Sequence, residues 1–117
     1  MSKKILIIED EEDIRNYLKV LLEKEGYETI TASDGVEGLE VAKRETPDLI
    51  TLDLQMPKDT GTDFYRKMHR DEKLAGVPII IISGVPGRHL AVKKPVAVFD
   101  KPIDKDQLLE AVRGAIG

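Results

Sequence analysis

Four apolar runs in this chain each stop abruptly at a polar residue, and that pattern limits the architectures open to it. Ile5-Leu6-Ile7-Ile8 ends in Glu9-Asp10, and Leu49-Ile50-Thr51-Leu52 ends in Asp53. Val77 to Ile82 ends in Ser83-Gly84, and Val96 to Phe99 ends in Asp100-Lys101-Pro102. A short strand that is apolar without alternation is buried on both faces, as in a parallel sheet covered by helices. The segments between the runs supply those helices. Ile14, Tyr17, Leu18, Leu21 and Leu22 recur at helical spacing, with Gly26 placed to close the helix. Asp34 caps a helix carrying Val36, Leu39, Val41 and Ala42, which Thr46-Pro47 ends. A third helix is expected from about Thr62 to His69 or beyond, and Asp104 opens a last one with Leu108, Leu109, Val112 and Ile116 on one face. Tyr27 to Ala32 alternates and is rich in β-branched residues, so it reads as one more strand. Strands alternating with helices imply right-handed crossovers and an α/β fold with helices on both faces of a parallel sheet.

Composition narrows the function classes. With 117 residues the chain is expected to be one domain. About 30% Ile, Leu, Val and Phe is enough for a core. There are no cysteines, so disulfides, thiolate metal sites and Cys nucleophiles are excluded. A net charge of −4 makes nucleic acid a poor partner, because phosphate backbones require clustered Lys and Arg. The apolar run behind Lys3-Lys4 is too short for a signal peptide or a membrane span, so a cytoplasmic location is expected.

In an open α/β sheet, ligands bind beyond the carboxyl ends of the strands. Those ends carry Glu9, Asp10, Asp53, Ser83 and Lys101: three carboxylates, a hydroxyl and an amine. Carboxylates brought this close repel one another and call for a cation. Ligation by oxygen without histidine suits Mg²⁺ or Mn²⁺. An Asp can also act as a nucleophile and form an aspartyl-phosphate, with a metal and an ammonium neutralising the phosphoryl oxygens.

Glu9-Asp10-Glu11, Asp53-Leu54-Gln55-Met56-Pro57 with Gly61, Ile82-Ser83-Gly84 and Lys101-Pro102, in this order and each at a strand end, resemble the receiver domain of two-component response regulators. The resemblance runs from Lys4 to about Ile116. It implies a flavodoxin-like, doubly wound sheet of five parallel strands in the order 2-1-3-4-5, with residues 1–117 forming one receiver domain and no output domain. It makes Asp53 the phosphoacceptor, Lys101 and Ser83 the groups that stabilise the phosphoryl, and Mg²⁺ the cofactor. The metal would be held by Asp10, Asp53, the backbone carbonyl of Gln55 and, through water, Glu9. Met56, Pro57, Gly61, Gly84 and Pro102 would shape the site. Ile14 and Leu18 are candidates for a partner surface, with core packing the equal alternative. The implied partners are a sensor histidine kinase or phosphotransfer protein and a downstream protein target, with no nucleic acid and no membrane. The chain would be a signalling receiver, catalysing only its own phosphotransfer and autodephosphorylation. His69 and His89 read as surface residues.

The sequence also departs from that pattern. The aromatic usual three residues before the Lys is here Val98, with Phe99 beside it. The stretch from Ser83 to Lys101 is several residues short, and within Val85–Pro95 only Arg88 to Lys94 is free to be helical, about two turns. The helix between the fourth and fifth strands is therefore expected to be short or absent. Two other readings stand beside the receiver: a pseudo-receiver that binds but no longer switches, and a Mg²⁺-dependent hydrolase forming an aspartyl-phosphate. Gln55 counts against the hydrolase, since such enzymes carry a second Asp two residues after the nucleophile.

Overall fold

The computed structural model describes residues 2–54, 60–83, 97–100 and 103–117, with the backbone only at 60–62, 83, 97, 98 and 100. In chain order the described elements are β1 (Lys4–Ile8), α1 (Glu12–Lys24), β2 (Glu28–Ala32), α2 (Gly35–Glu45), β3 (Leu49–Asp53), α3 (Thr60–Arg70), β4 (Ile79–Ser83), β5 (Ala97–Asp100) and α4 (Lys105–Ile116). The strands pair in parallel in the order β2-β1-β3-β4-β5. The short or absent helix expected within Val85–Pro95 falls outside the described residues.

The apolar runs are continuous because each strand feeds two cores. Leu6 and Ile8 of β1, Ile50 and Leu52 of β3, and Ile79 and Ile81 of β4 pack with Val41 and Ala42 of α2 and with Phe64 and Met68 of α3. Their neighbours Ile5, Ile7, Leu49, Ile80 and Ile82 pack with Leu18 and Leu22 of α1 and with Leu108, Leu109 and Val112 of α4. Side chains alternate across a strand, so a strand with a helix layer on either side must be apolar at every position. The edge strand β2 is only half buried, and it is the one whose sequence alternates.

Local chemistry sets the ends. Asp34 accepts from the Glu37 N–H at 2.8 Å, and Glu37 accepts in turn from the Ser33 N–H at 2.8 Å. Asp104 accepts from the N–H groups of Asp106 and Gln107. Gly26, at φ +92°, turns the chain out of α1 in the left-handed region that glycine adopts without strain. β4 begins two residues later than its apolar run, at Ile79. Val77 still donates to Leu74 in the preceding turn, and Pro78 has no N–H to give a ladder.

At the amino edge of the sheet a clasp joins β1 to the start of β3. The Lys4 N–H donates to the Asp48 carboxylate and the Asp48 N–H donates to the Lys4 carbonyl, each at 2.8 Å. The Lys4 ammonium also pairs with Glu45 at 3.0 Å. This hydrogen bond raises the pKa of Lys4 and holds that of Glu45 below the usual carboxylate range. The pair contributes above the ordinary Glu range and is lost as pH falls through the lowered Glu45 value.

Gly38 governs how closely α2 can lie on β1. A Cβ there would meet Cδ1 of Ile8 at 2.6 Å, and Ile8 is the residue before Glu9. Gly114 in α4 has nothing within 4 Å of the same position. Urea denaturation is expected to separate the two. Gly38→Leu should cost about 1–3 kcal/mol by overpacking. Gly114→Ala should gain up to about 1 kcal/mol from helix propensity.

Candidate functional site

Register brings the polar strand ends together. Ile8 pairs with both Ala32 and Leu52, so the next residues, Glu9 and Asp53, follow at one level of the sheet. Asp53 in turn pairs with Ile82, and Ser83 with Asp100, one step further along. Glu9 shares the strand face of Ile5 and Ile7, and Asp53 that of Leu49, so both belong to the side covered by α1 and α4. The Glu9 N–H is tied to the Ala32 carbonyl and the Leu54 N–H to the Ile82 carbonyl, which carries the pairing past the carboxylates.

Glu9, Asp10 and Asp53 form the acidic cluster of the described residues. Each offers a carboxylate oxygen, and these oxygens lie within 4.8 Å of one another. Glu9 and Asp53 are each 1% exposed. Oδ1 of Asp10 is inaccessible to solvent and has no hydrogen-bond partner among the described residues. At that separation each pair of carboxylates repels by on the order of 3 kcal/mol at an effective dielectric of 20. An acceptor-only set of hard oxygens converging in this way fits a divalent cation such as Mg²⁺. The structure supplies part of the compensation itself. The N-terminus of α1 rises from Glu11, whose N–H donates to Oε2 of Glu9 at 3.2 Å, so the helix dipole favours negative charge there.

Arg15 was not picked out by sequence reasoning. Its Nη1 donates to the Glu9 carbonyl at 2.9 Å and to the Asp10 carbonyl at 3.4 Å. The guanidinium thus clasps the turn that carries two of the three carboxylates, without bonding to the carboxylates themselves. The available signal was a lone cation one helical turn into an otherwise acidic helix start, and charge on a helix ordinarily reads as a solvated face.

Of the residues expected at the site, the structure brings together Glu9, Asp10 and Asp53, and it puts the backbone of Ser83 at the end of the neighbouring strand. Gly61 lies in the first turn of α3. Gln55, Met56, Pro57, Gly84, Lys101 and Pro102 lie outside the described residues, as does His89. The partner-surface expectation needs correction at Leu18. That side chain is 1% exposed and packs in the core under α1, so it presents nothing to a partner. Ile14 is partly buried against the same core. His69 is exposed, as expected, and stacks on Tyr65 with ring centroids 5.8 Å apart. Phe99 is half buried against the α1/α4 core. Among the described residues no helix is long and apolar enough to cross a membrane.

Comparison with known proteins places this geometry. The response regulator receiver domain family matches the chain over residues 5–113. The polar-differentiation response regulator DivK of Brucella ovis is 31% identical, over all of this chain and 98% of its own. The chemotaxis protein CheY4 of Vibrio cholerae superposes with a TM-score of 0.89 at 26% identity, covering 99% of this chain and 100% of its own. The receiver domain of the sensor histidine kinase PA1611 from Pseudomonas aeruginosa has the same fold. Its TM-score is 0.90 at 24% identity, over 100% of this chain and 99% of its own, and it was solved with a magnesium ion coordinated in its active site cleft.

If Arg15 holds the turn in shape, Arg15→Ala should weaken Mg²⁺ binding by roughly tenfold or more, the scale seen when a group supporting metal ligands is removed. A magnesium titration followed by amide NMR would show this as a shifted midpoint with the cross-peak pattern of the folded protein retained.

Proposed function

Because the chain belongs to the response regulator receiver domain family, whose members signal in a phosphorylation-dependent way, we propose that Asp53 is the residue that takes the phosphoryl group. The observation that carries this reading is the position of Asp53. It is buried at the carboxyl edge of the sheet, with its carboxylate in the same cluster as those of Glu9 and Asp10. In the proposed step an Asp53 carboxylate oxygen attacks the phosphorus of a phosphohistidine. The P–N bond breaks, the imidazole nitrogen leaves with the electron pair, and an acyl phosphate remains on Asp53.

Asp10 and Asp53, with Glu9 behind them, are the described residues that would hold Mg²⁺, joined by the Gln55 carbonyl. When bound, the ion offsets the negative charge of the carboxylates and of the incoming phosphoryl oxygens. Asp10 fits the role because its inaccessible oxygen is otherwise unpartnered among the described residues. Lys101 would supply a second cation to the phosphoryl group, and the Ser83 hydroxyl a hydrogen bond to it. Glu9, bonded to the start of α1, fixes the turn rather than reacting. The donor is a sensor histidine kinase or a phosphotransfer protein. The output is protein–protein contact, driven by nearly two added negative charges at a site already crowded with anions. Water attack on the acyl phosphate, the protein's own dephosphorylation, resets it.

Incubation with acetyl phosphate and Mg²⁺ tests the proposal. The expected product is one phosphoryl adduct per chain by intact mass, labile to hydroxylamine, lost on chelation of the metal and absent in Asp53→Asn. An adduct that survives Asp53→Asn would move the acceptor elsewhere. No adduct, together with no beryllofluoride-induced change in amide spectra beyond the site, would favour the pseudo-receiver. Continuous turnover of a phosphate ester would favour the hydrolase.

A further inference from the structure

Three large apolar side chains face solvent among the described residues, and two of them lie together on α1: Tyr17 is 47% exposed and Val20 50%. At about 100° per residue, Asp13, Tyr17, Val20 and Lys24 fall within roughly 60° of arc on that helix. All four are exposed, on the side of α1 opposite the buried Leu18 and Leu22. Ile14 and Leu21 border them and are partly buried against the α1/α4 core.

The helix dipole accounts for an acid in the first turn of α1 and a base in the last. It does not account for their sharing one face with the two exposed apolar side chains. Neither Asp13 nor Lys24 has a hydrogen-bond or ion-pair partner among the described residues. Glu11, Glu12, Lys19, Glu23 and Glu25 lie about 90° or more from the centre of that face, which leaves it one acid and one base. The carboxylates flanking Lys24 are, moreover, engaged within the chain. Glu23 pairs with Lys19 at 3.8 Å and accepts from the Thr29 hydroxyl at 3.0 Å, and Glu25 pairs with Arg113 at 3.4 Å.

The face is complementary to itself. Asp13 and Lys24 are eleven positions apart, close to three turns at about 3.6 residues each, and their midpoint is also the midpoint of Tyr17 and Val20. We propose that α1 pairs antiparallel with α1 of a second copy of this chain, about a two-fold axis through that midpoint. Asp13 of each copy then meets Lys24 of the other, and Tyr17 of each packs on Val20 of the other. A two-fold contact requires one patch to match itself, and opposite charges at the two ends of an apolar centre meet that requirement. A parallel pair would set Asp13 on Asp13 and Lys24 on Lys24. The antiparallel pair also lays opposite ends of the two helix dipoles side by side. The contact is small and each copy carries a net charge of −4, so the pair is weak and transient. Arg15 lies on the other side of α1 and Asp53 takes no part, so the pairing stands or falls apart from the phosphorylation chemistry.

Sedimentation velocity and amide NMR over a concentration series provide the test. As concentration rises, the mean mass should increase and amide shifts should grow at Asp13–Lys24. Asp13→Lys and Lys24→Asp should each weaken self-association roughly fivefold or more, since each sets like charges together at both ends. An equimolar mixture of the two variants should associate again, because opposite charges then meet at both ends. Tyr17→Ser and Val20→Ser leave the charges in place and should also weaken it, which keeps the test open if a charge variant fails to fold. The chain has no cysteine, so a nitroxide on Asn16→Cys reports direction. Mixed with isotope-labelled protein, it should broaden amides around Leu21 of the other copy. Broadening around Asn16 instead would mean a parallel pair and overturn the proposal. So would an unmodified protein that shows no concentration dependence, shifts centred away from α1, or a mixture that associates no better than either variant alone.

Discussion

Three carboxylates held within 4.8 Å of one another are an electrostatic burden that an unconstrained chain would not accept. Glu9 and Asp53 are, moreover, almost wholly withdrawn from water. What keeps them in place is the parallel ladder: β1 and β3 are bonded to each other up to the residues before the carboxylates, and the Leu54 N–H continues the bonding beyond. The apolar burial beneath, on two faces at once, provides the favourable free energy against which the repulsion is set. The site is thus stressed by construction, and it is a place where added positive charge, or a change in charge at Asp53, has a large effect on the surroundings.

That arrangement explains why so much was legible in the sequence. Ile5 to Ile8, Leu49 to Leu52 and Ile79 to Ile82 are apolar at nearly every position because each strand serves two helix layers, and the same residues end sharply where the ligand edge begins. Two-sided burial is a compositional demand, so it shows in a single chain. Asp34 and Asp104 were readable as caps because a side-chain oxygen before a helix has a specific local task. The acidic cluster followed from topology once Glu9, Asp10 and Asp53 were assigned to strand ends.

What sequence reasoning missed depends on direction rather than on composition. Arg15 acts through two main-chain carbonyls behind it, and a guanidinium that bonds backbone leaves no pattern in side-chain types. Leu18 stood equally well for surface or core, since helical spacing gives the period of an apolar stripe but not which of its members lies deepest. The late start of β4 rests on Val77 being held by the turn before it, a contact that competes with strand pairing and that apolar composition does not reveal.

The clasp of Lys4 and Asp48 lies at the far end of the sheet from the carboxylates, yet it bears on them. Successive strand residues face opposite helix layers, so a slip of one place between β1 and β3 would not merely misalign Asp53. It would turn that side chain into the oily layer beneath α2 and α3 and swing Leu52 or Leu54 into the acidic edge. Correct pairing and chemical competence are therefore decided in one event during folding. A molecule that zips from the wrong rung is not a weaker version of this protein. It keeps Glu9 and Asp10 at the end of β1 but has lost Asp53 from their side.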